Sequence, residues 1–512
     1  MFSLLLLLAG YQMPTTRVAP PMRAPCSPKA YLVPLAVKAP WQVTRILKSA
    51  ETLDDLFVCY EEHGEFYNDI HVSAYWTSLS RLSRSTRPHD DHLERVVSLK
   101  ARSIQMAASG KLGARALANI AYAAARMGTP DSADLFDALA AAALPKRVTE
   151  FNSQALSNTA WAYAHAGHES RELFDALAAA AVPRLGDAKP QALSNLCWAF
   201  ATASQPAPLL FEAIAKEASG RLGNFTSQHL SNTVWAFATS GHADADFFDA
   251  LADEAEARIS EFKPQAISAT VLAHATAAEG GPLSRSQRQL FDGVAVAVPP
   301  QLSRFGQQAL ANTAWAYSKA DYDAPELFDA LAEAAQPQLA SFTPQNLANL
   351  VWPFAYAGHR HPELFYAIAE TATERGLDRF APTALANLAE AFARAEHSAP
   401  KLFAQLAQVA ETRIYEFSPP ALSSLAWAFA SAGSTSPSFF DALAAAVAAR
   451  LHEFTPGDLA RTGLAFGRAS LAVPRSWSFA PVWTGADAAT TTSAAVLTSG
   501  PAAPERSPPP LQ

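Results

Sequence analysis

Hydrophobic positions in this chain recur at helical spacing, and the helical segment itself then recurs. Phe151–Gly167 reads FNSQALSNTAWAYAHAG, Phe225–Gly241 reads FTSQHLSNTVWAFATSG, and Phe342–Gly358 reads FTPQNLANLVWPFAYAG. Take the opening Phe as position 0. Position 7 then falls at Asn119, Asn158, Asn195, Asn232, Ala269, Asn312, Asn349, Asn387, Ser424 and Arg461, at intervals of 39, 37, 37, 37, 43, 37, 38, 37 and 37 residues. Copies held in register at a near-constant period predict stacked repeats rather than unrelated domains. The expected fold is all-α: a right-handed α-solenoid of about ten helix-pair repeats with a period near 38 residues, with the first helices lining its concave side.

Each repeat predicts two helices. Helix A opens near TPQ or KPQ, where proline suits a first turn. It stops at a Gly or Ser, such as Gly167, Gly241, Gly358 and Gly433. Helix B carries ELFDALA-like stretches, as at Leu173–Phe174 and Leu327–Phe328, and closes on an Arg or Leu. No long period-2 run argues for strands. The copy around Ala269 is degenerate, and GPLSRSQRQ (Gly281–Gln289) reads as its long, flexible loop. WQVTRILKSAETLDDLFVCYEEHG (41–64) reads as a capping helix pair and 66–108 as a weaker unit, with the helical cap and weak repeat assigned to 51–109. The full array then spans 110–470, its last unit lacking a clear helix B.

A helical wheel at 100° per residue sorts helix A into two faces. Positions 5, 8, 9, 12 and 16 form the expected core face: Leu156, Thr159, Ala160, Tyr163 and Gly167 in the first quoted copy. Positions 3, 7, 10 and 14 lie opposite, within roughly 60° of one another. Positions 3, 7 and 10 repeat as Gln154, Asn158, Trp161; Gln191, Asn195, Trp198; Gln228, Asn232, Trp235; Gln308, Asn312, Trp315; and Gln345, Asn349, Trp352. Position 14 varies: Arg126, His165, Thr202, Thr239, Thr276, Lys319, Tyr356, Arg394, Ser431 and Arg468. Every occupant is polar or has a polar tip. A constant frame with a variable reader is how repeat proteins recognise single-stranded RNA, one base per repeat. The Trp would then offer a stacking platform, and the amides would meet bases or phosphates. The alternative for positions 7 and 10 is structural, a buried amide ladder and an inter-repeat spacer. For position 14 it is plain solvent exposure.

Composition changes this picture little. Half of the 512 residues are hydrophobic, 17% are charged, and the formal net charge is −8. That balance does not mark a nucleic-acid binder, but the charge is unevenly placed. Across positions 2–15 of the A helices the acids are Glu390 and Asp458, against Arg115, Arg126, Lys319, Arg394, Arg461 and Arg468. Acids gather on helix B and in loops, as at Asp137, Asp175, Asp249, Asp329 and Asp441. A mildly basic inner face is what an RNA groove needs. The cysteines, Cys26, Cys59 and Cys197, form neither a disulfide framework nor a metal spacing. No phosphate loop, metal motif or nucleophile elbow appears, and the two histidines of GHRHPE (Gly358–Glu363) read as a loop accident. No catalysis and no cofactor are expected.

The chain's ends differ from its middle. Residues 1–50 contain no Asp or Glu, carry Arg17, Arg23, Lys29, Lys38, Arg45 and Lys48, and begin MFSLLLLLAG. Such a segment reads as an organelle leader, either simple or the two-part kind of secondary plastids, with a plastid favoured over a mitochondrion. Residues 471–512 are rich in Ala, Thr, Ser and Pro and are expected to be disordered.

LSNTAWAYA and LANLVWPFA at a period near 38 resemble the octatricopeptide-type repeats of algal chloroplast RNA-binding and translation factors. They are also similar to the leucine-rich region of FAST-kinase-like organellar RNA proteins and to the repeat domain of trypanosome RNA-editing substrate-binding complexes. The resemblance covers roughly residues 110–470. It implies a non-catalytic organellar protein that binds single-stranded transcripts and governs their processing, stability or translation. Its partners would be that RNA and other ribonucleoprotein components, with no membrane insertion in the mature form. A PPPEW-like signature and a C-terminal RAP domain, which many octatricopeptide proteins carry, are not seen. The competing function is a protein-protein interaction scaffold, because helical solenoids bind peptides as readily as RNA.

Overall fold

Proline and a left-handed turn punctuate the repeats. The computed structural model describes residues 40–471, except 65–66, 84–89, 130, 145 and 279–280. Most of the expected leader, all of the tail beyond 471, and Cys26 lie outside the described residues. The A helices are α5 (Ala114–Met127), α7 (Ser153–Ala166), α9 (Pro190–Thr202), α11 (Ser227–Thr239), α13 (Pro264–Ala277), α15 (Gln307–Lys319), α17 (Pro344–Tyr356), α19 (Pro382–Arg394), α21 (Pro419–Ser431) and α23 (Pro456–Arg468). Six of them begin on a proline, whose fixed φ suits the first turn and whose missing N–H has no helical partner there. Position 16 ends them. Gly167, Gly241, Gly358 and Gly433 have φ of 63°, 74°, 74° and 67°, and Ser204, Asp321 and Glu396 adopt the same left-handed turn at 52°, 49° and 52°. The wheel's placement of Gly167 on the core face is therefore corrected: position 16 is an exposed terminator, because the helix has already stopped.

The B helices are α6 (Ala133–Ala143), α8 (Arg171–Ala181), α10 (Pro208–Ser219), α12 (Ala245–Ala257), α14 (Arg285–Ala297), α16 (Pro325–Ala335), α18 (Pro362–Arg375), α20 (Pro400–Thr412) and α22 (Pro437–Ala449). The expected capping pair is α1 (Pro40–Ser49) and α2 (Leu53–His63), and the weak unit is α3 (Asp69–Leu82) and α4 (Asp90–Ala108). One loop was misread. Ser284 caps α14 through Gln287, and Gln287 returns the bond, so Arg285–Gln289 is helix and only 281–284 belong to the loop. The Ser-x-x-Gln spacing is a capping box, which a reading by loop composition passes over.

The chain is an all-α solenoid of helical repeats, with no strand among the described residues. It divides into two units, up to Phe247 and from Phe248. In the first unit α1, α3, α5, α7, α9 and α11 stack in series. In the second, α13, α15, α17, α19, α21 and α23 do the same. No helix among the described residues is long and apolar enough to cross a membrane.

Two devices join successive repeats. The first is aromatic. The Phe of most LFDA-like stretches meets the position-12 ring of the next helix A edge to face: Phe174–Phe200 at 5.0 Å and 87°, Phe328–Phe354 at 5.0 Å and 89°, Phe403–Phe429 at 5.3 Å and 84°. Such pairs add about 0.5–1.5 kcal/mol each beyond their buried area. Where position 12 is Tyr, its hydroxyl also donates to the Phe carbonyl, at 2.6 Å for Tyr163–Phe136 and Tyr317–Phe291.

The second device is an arginine just past helix B, which reaches back to carbonyls of the turn where the preceding repeat passes into its own. Arg184 donates to Thr149 O at 2.8 Å, Arg221 to Leu185 O at 2.8 Å, Arg413 to Phe380 O at 2.9 Å and Arg450 to Phe417 O at 2.9 Å. Arg147 meets Leu112 O, and Arg375 meets Phe342 O, in the same way. A helix end leaves carbonyls without intrahelical donors, and a forked guanidinium satisfies several at once.

Candidate nucleic-acid interface

Positions 3, 7, 10 and 14 share one side of each helix A, and half of that side is interior. Trp161, Trp198, Trp315 and Trp352 are only 6%, 2%, 9% and 4% exposed, and Asn232 is buried as well. Trp235 and Trp427 are half-buried. A wheel drawn for one helix has no neighbours. In the stack the buried indoles pack against the adjoining helix A: Tyr122–Trp161 at 4.8 Å, Trp161–Trp198 at 6.4 Å, Trp315–Trp352 at 4.5 Å. The expectation that these indoles point away from the interior is therefore corrected. Their inter-repeat packing also leaves the indole N–H of Trp161, Trp198 and Trp352 buried without a partner.

The amides link along the helix. Gln228 Nε2 donates to Asn232 Oδ1 at 2.8 Å, and Gln345 Nε2 to Asn349 Oδ1 at 2.9 Å. This i, i+4 pairing occupies the Asn oxygen. Asn119 Nδ2 reaches Ser73 on the preceding A helix, at 3.0 Å. Gln154, Gln191 and Gln308 are exposed, while Asn158, Asn195 and Asn312 are half-buried.

Position 14 is the outer edge. His165, Tyr356 and Arg468 are exposed there, and Arg126, Thr202, Thr239, Thr276, Lys319, Arg394 and Ser431 are half-buried. Two rings at this position lie flat on the Trp one turn before them: His165 on Trp161 at 4.5 Å and 13°, Tyr356 on Trp352 at 4.8 Å and 17°. The open aromatic face in those repeats thus belongs to position 14, with the buried indole as its backing. One face of the His165 ring is shielded from water by the stacked Trp161, and this desolvation lowers its pKa, which favours the neutral ring. Lys319 Nζ donates to Thr276 Oγ1 at 3.2 Å, joining successive position-14 side chains.

Residues 79–279, less than half of the chain, match the family model of RNA-editing substrate-binding complex 6 protein. Of the groups the sequence resembles, this is the RNA-editing one. No curated protein matches the chain. A solved-structure likeness is to a chain of a homology model of the full-length AP-3 complex in an intermediate open conformation. It is 10% identical and covers 86% of this chain and 93% of that one, but at a TM-score of 0.26 it carries no argument.

The remaining candidates resolve into structural roles. His359 of GHRHPE stacks on Phe328 at 4.2 Å, and His361 caps α18 by accepting from Leu364 N at 3.3 Å. Cys197 is fully buried, which pushes its thiol pKa up, and its Sγ meets Leu193 O at 3.1 Å. One cluster was missed at the sequence level. Glu390, Arg394, Ser424, Trp427 and Arg461 come together in the last repeats. The signal was legible as three linked departures from the repeat frame: Glu where Trp is usual, then Ser and Arg where Asn is usual.

Proposed function

We propose that this protein binds single-stranded RNA on the helix-A strip and acts without catalysis in organellar transcript processing, stability or translation. The observation that supports this best is the match of residues 79–279 to an RNA-editing substrate-binding complex family. The strip suits such a ligand. It is poor in free acids, lined with amides, and carries flat rings at His165 and Tyr356, where bases can stack. RNA and other ribonucleoprotein components are the proposed partners.

Filter binding of a random RNA pool by the wild type, Tyr356→Ala and His165→Ala tests this. Each substitution should cost about 1–3 kcal/mol per stacked base, roughly 5- to 150-fold in affinity. Circular dichroism melts should stay near wild type, because both rings are exposed. Undiminished binding by both variants would remove the stacking role. The scaffold reading draws on the net charge of −8 and becomes the better one if the wild type retains no RNA. We also propose an organellar location, with a plastid favoured. Residues 1–50 fused to a fluorescent reporter should carry it to a plastid or mitochondrion, and a cytosolic or secreted reporter would count against this.

A further inference from the structure

The last three repeats leave the common frame together, and their changes compensate in space. Glu390 occupies position 10 of α19, Ser424 position 7 of α21, and Arg461 position 7 of α23. Glu390 is 1% exposed. Its Oε1 accepts from Arg394 Nε at 3.0 Å and Nη2 at 2.8 Å, and from Arg461 Nη2 at 2.8 Å. Arg461 reaches back across two repeats to do this, and its Nη1 donates to Ser424 Oγ at 3.2 Å on the way. The two guanidinium groups therefore stand side by side, no further apart than two hydrogen bonds laid end to end. Both also lie over the Trp427 ring, at 5.1 and 5.3 Å from its centroid, within cation–π range.

One carboxylate facing two guanidiniums leaves a single net positive charge. The carboxylate is the inner partner, with its side chain 2% exposed, whereas the Arg394 and Arg461 side chains are 31% and 18% exposed. Two like charges held this close repel, and Glu390 offsets that repulsion from below only. An anion arriving from the solvent side would complete the arrangement. Guanidinium forks match the spread oxygens of a phosphate, and the shared carboxylate already fixes their orientation, so little side-chain freedom remains to be lost on binding. The neighbouring chemistry points the same way. Arg468, exposed at position 14 of α23, adds a further base to this end of the strip, and Trp427 adds a partly open ring.

We infer that Arg394 and Arg461, held as a pair by Glu390 against Trp427, form one phosphate site, and that it takes a backbone phosphodiester of single-stranded RNA. This rests on the RNA reading of the helix-A strip. Arg394 alone would be an ordinary position-14 contact. The pair makes it half of a site whose other half comes from a residue 67 positions later.

The salt dependence of oligouridylate binding tests the pairing. On single strands each phosphate contact contributes roughly 0.7 to the slope of log K against log salt. Arg394→Gln and Arg461→Gln should each flatten the slope by about 0.7, and the double variant by no more, because one phosphate is shared. A double variant that loses twice as much would overturn the single site. Removing both arginines strands a buried carboxylate, so Glu390→Gln/Arg394→Gln/Arg461→Gln serves as the second variant. It holds no buried charge and should show the same slope loss with the wild-type melting temperature. If the folded variants bind RNA with wild-type slope, the pair is only a structural lock, and the RNA reading stands without it. If the wild type binds no RNA at any salt, that reading fails and this inference with it. Inorganic phosphate and uridine monophosphate, titrated against Trp fluorescence, form the remaining arm. Their loss in the variants with an unchanged RNA slope would assign the pair to a small free phosphate and overturn the RNA source.

Discussion

His274 shows what one residue does when it breaks the frame. It stands at position 12 of α13, where most other repeats place Tyr or Phe, and it keeps their geometry, meeting Phe248 edge-on at 5.4 Å and 90°. Its ring is fully buried, Nδ1 lies 3.5 Å from Gln287 Nε2, and Nε2 has no partner. Burial lowers its pKa from 6.5 to about 3. The folded chain therefore keeps this ring neutral, while the unfolded chain protonates it near pH 6.5. Stability from this site is fully present above that pH and declines as pH falls toward 3, by about 1.4 kcal/mol per unit. His274→Phe should remove the decline. Denaturant midpoints of wild type and variant should differ by a constant amount above pH 7 and diverge below 6.5, with the variant favoured. A gap that ignores pH would refute the assignment. The register equates His274 with its aromatic counterparts, but the depth of its burial is set by the neighbouring helices that carry Phe248 and Gln287.

At the scale of the element, helix starts and stops were readable because proline and glycine act locally. The helix-A strip was readable as a strip but not as a half-buried one. Only the neighbouring helix decides that Trp352 is interior and Tyr356 is not. The arginines at the ends of the B helices were visible too, as a recurrent closing residue, yet their partners are carbonyls, which every residue has and no side-chain pattern reveals. Arg413 is a fair test of their weight. It donates to Asp378 O at 3.1 Å and Phe380 O at 2.9 Å, and pairs with the exposed Glu416. Arg413→Met keeps much of the packing and loses the donors. It should destabilise by about 1.5–3 kcal/mol, the range for hydrogen bonds to a charged group. Glu416→Gln should change little, since an exposed ion pair contributes little. Equal melting shifts for the two would show that the carbonyl bonds are not what holds the turn.

For the molecule as a whole, the period gave the solenoid, and each helix A packs on those before and after it in its own unit. The division at Phe247 left no mark in the sequence, because DFFDALADEAEA reads like any other helix B. The arginine bond carries one more implication. In the second unit Arg375, Arg413 and Arg450 each grip the carbonyl of a Phe 33 residues earlier. Every such Phe opens one repeat, and the arginine that grips it closes the same repeat. Excise Thr343 to Phe380, and Arg413 meets the carbonyl of Phe342 at the same separation. Nothing is orphaned, because the socket and the plug leave together. A gene encoding such a chain can gain or lose copies by recombination within itself, and each product inherits a complete set of fasteners.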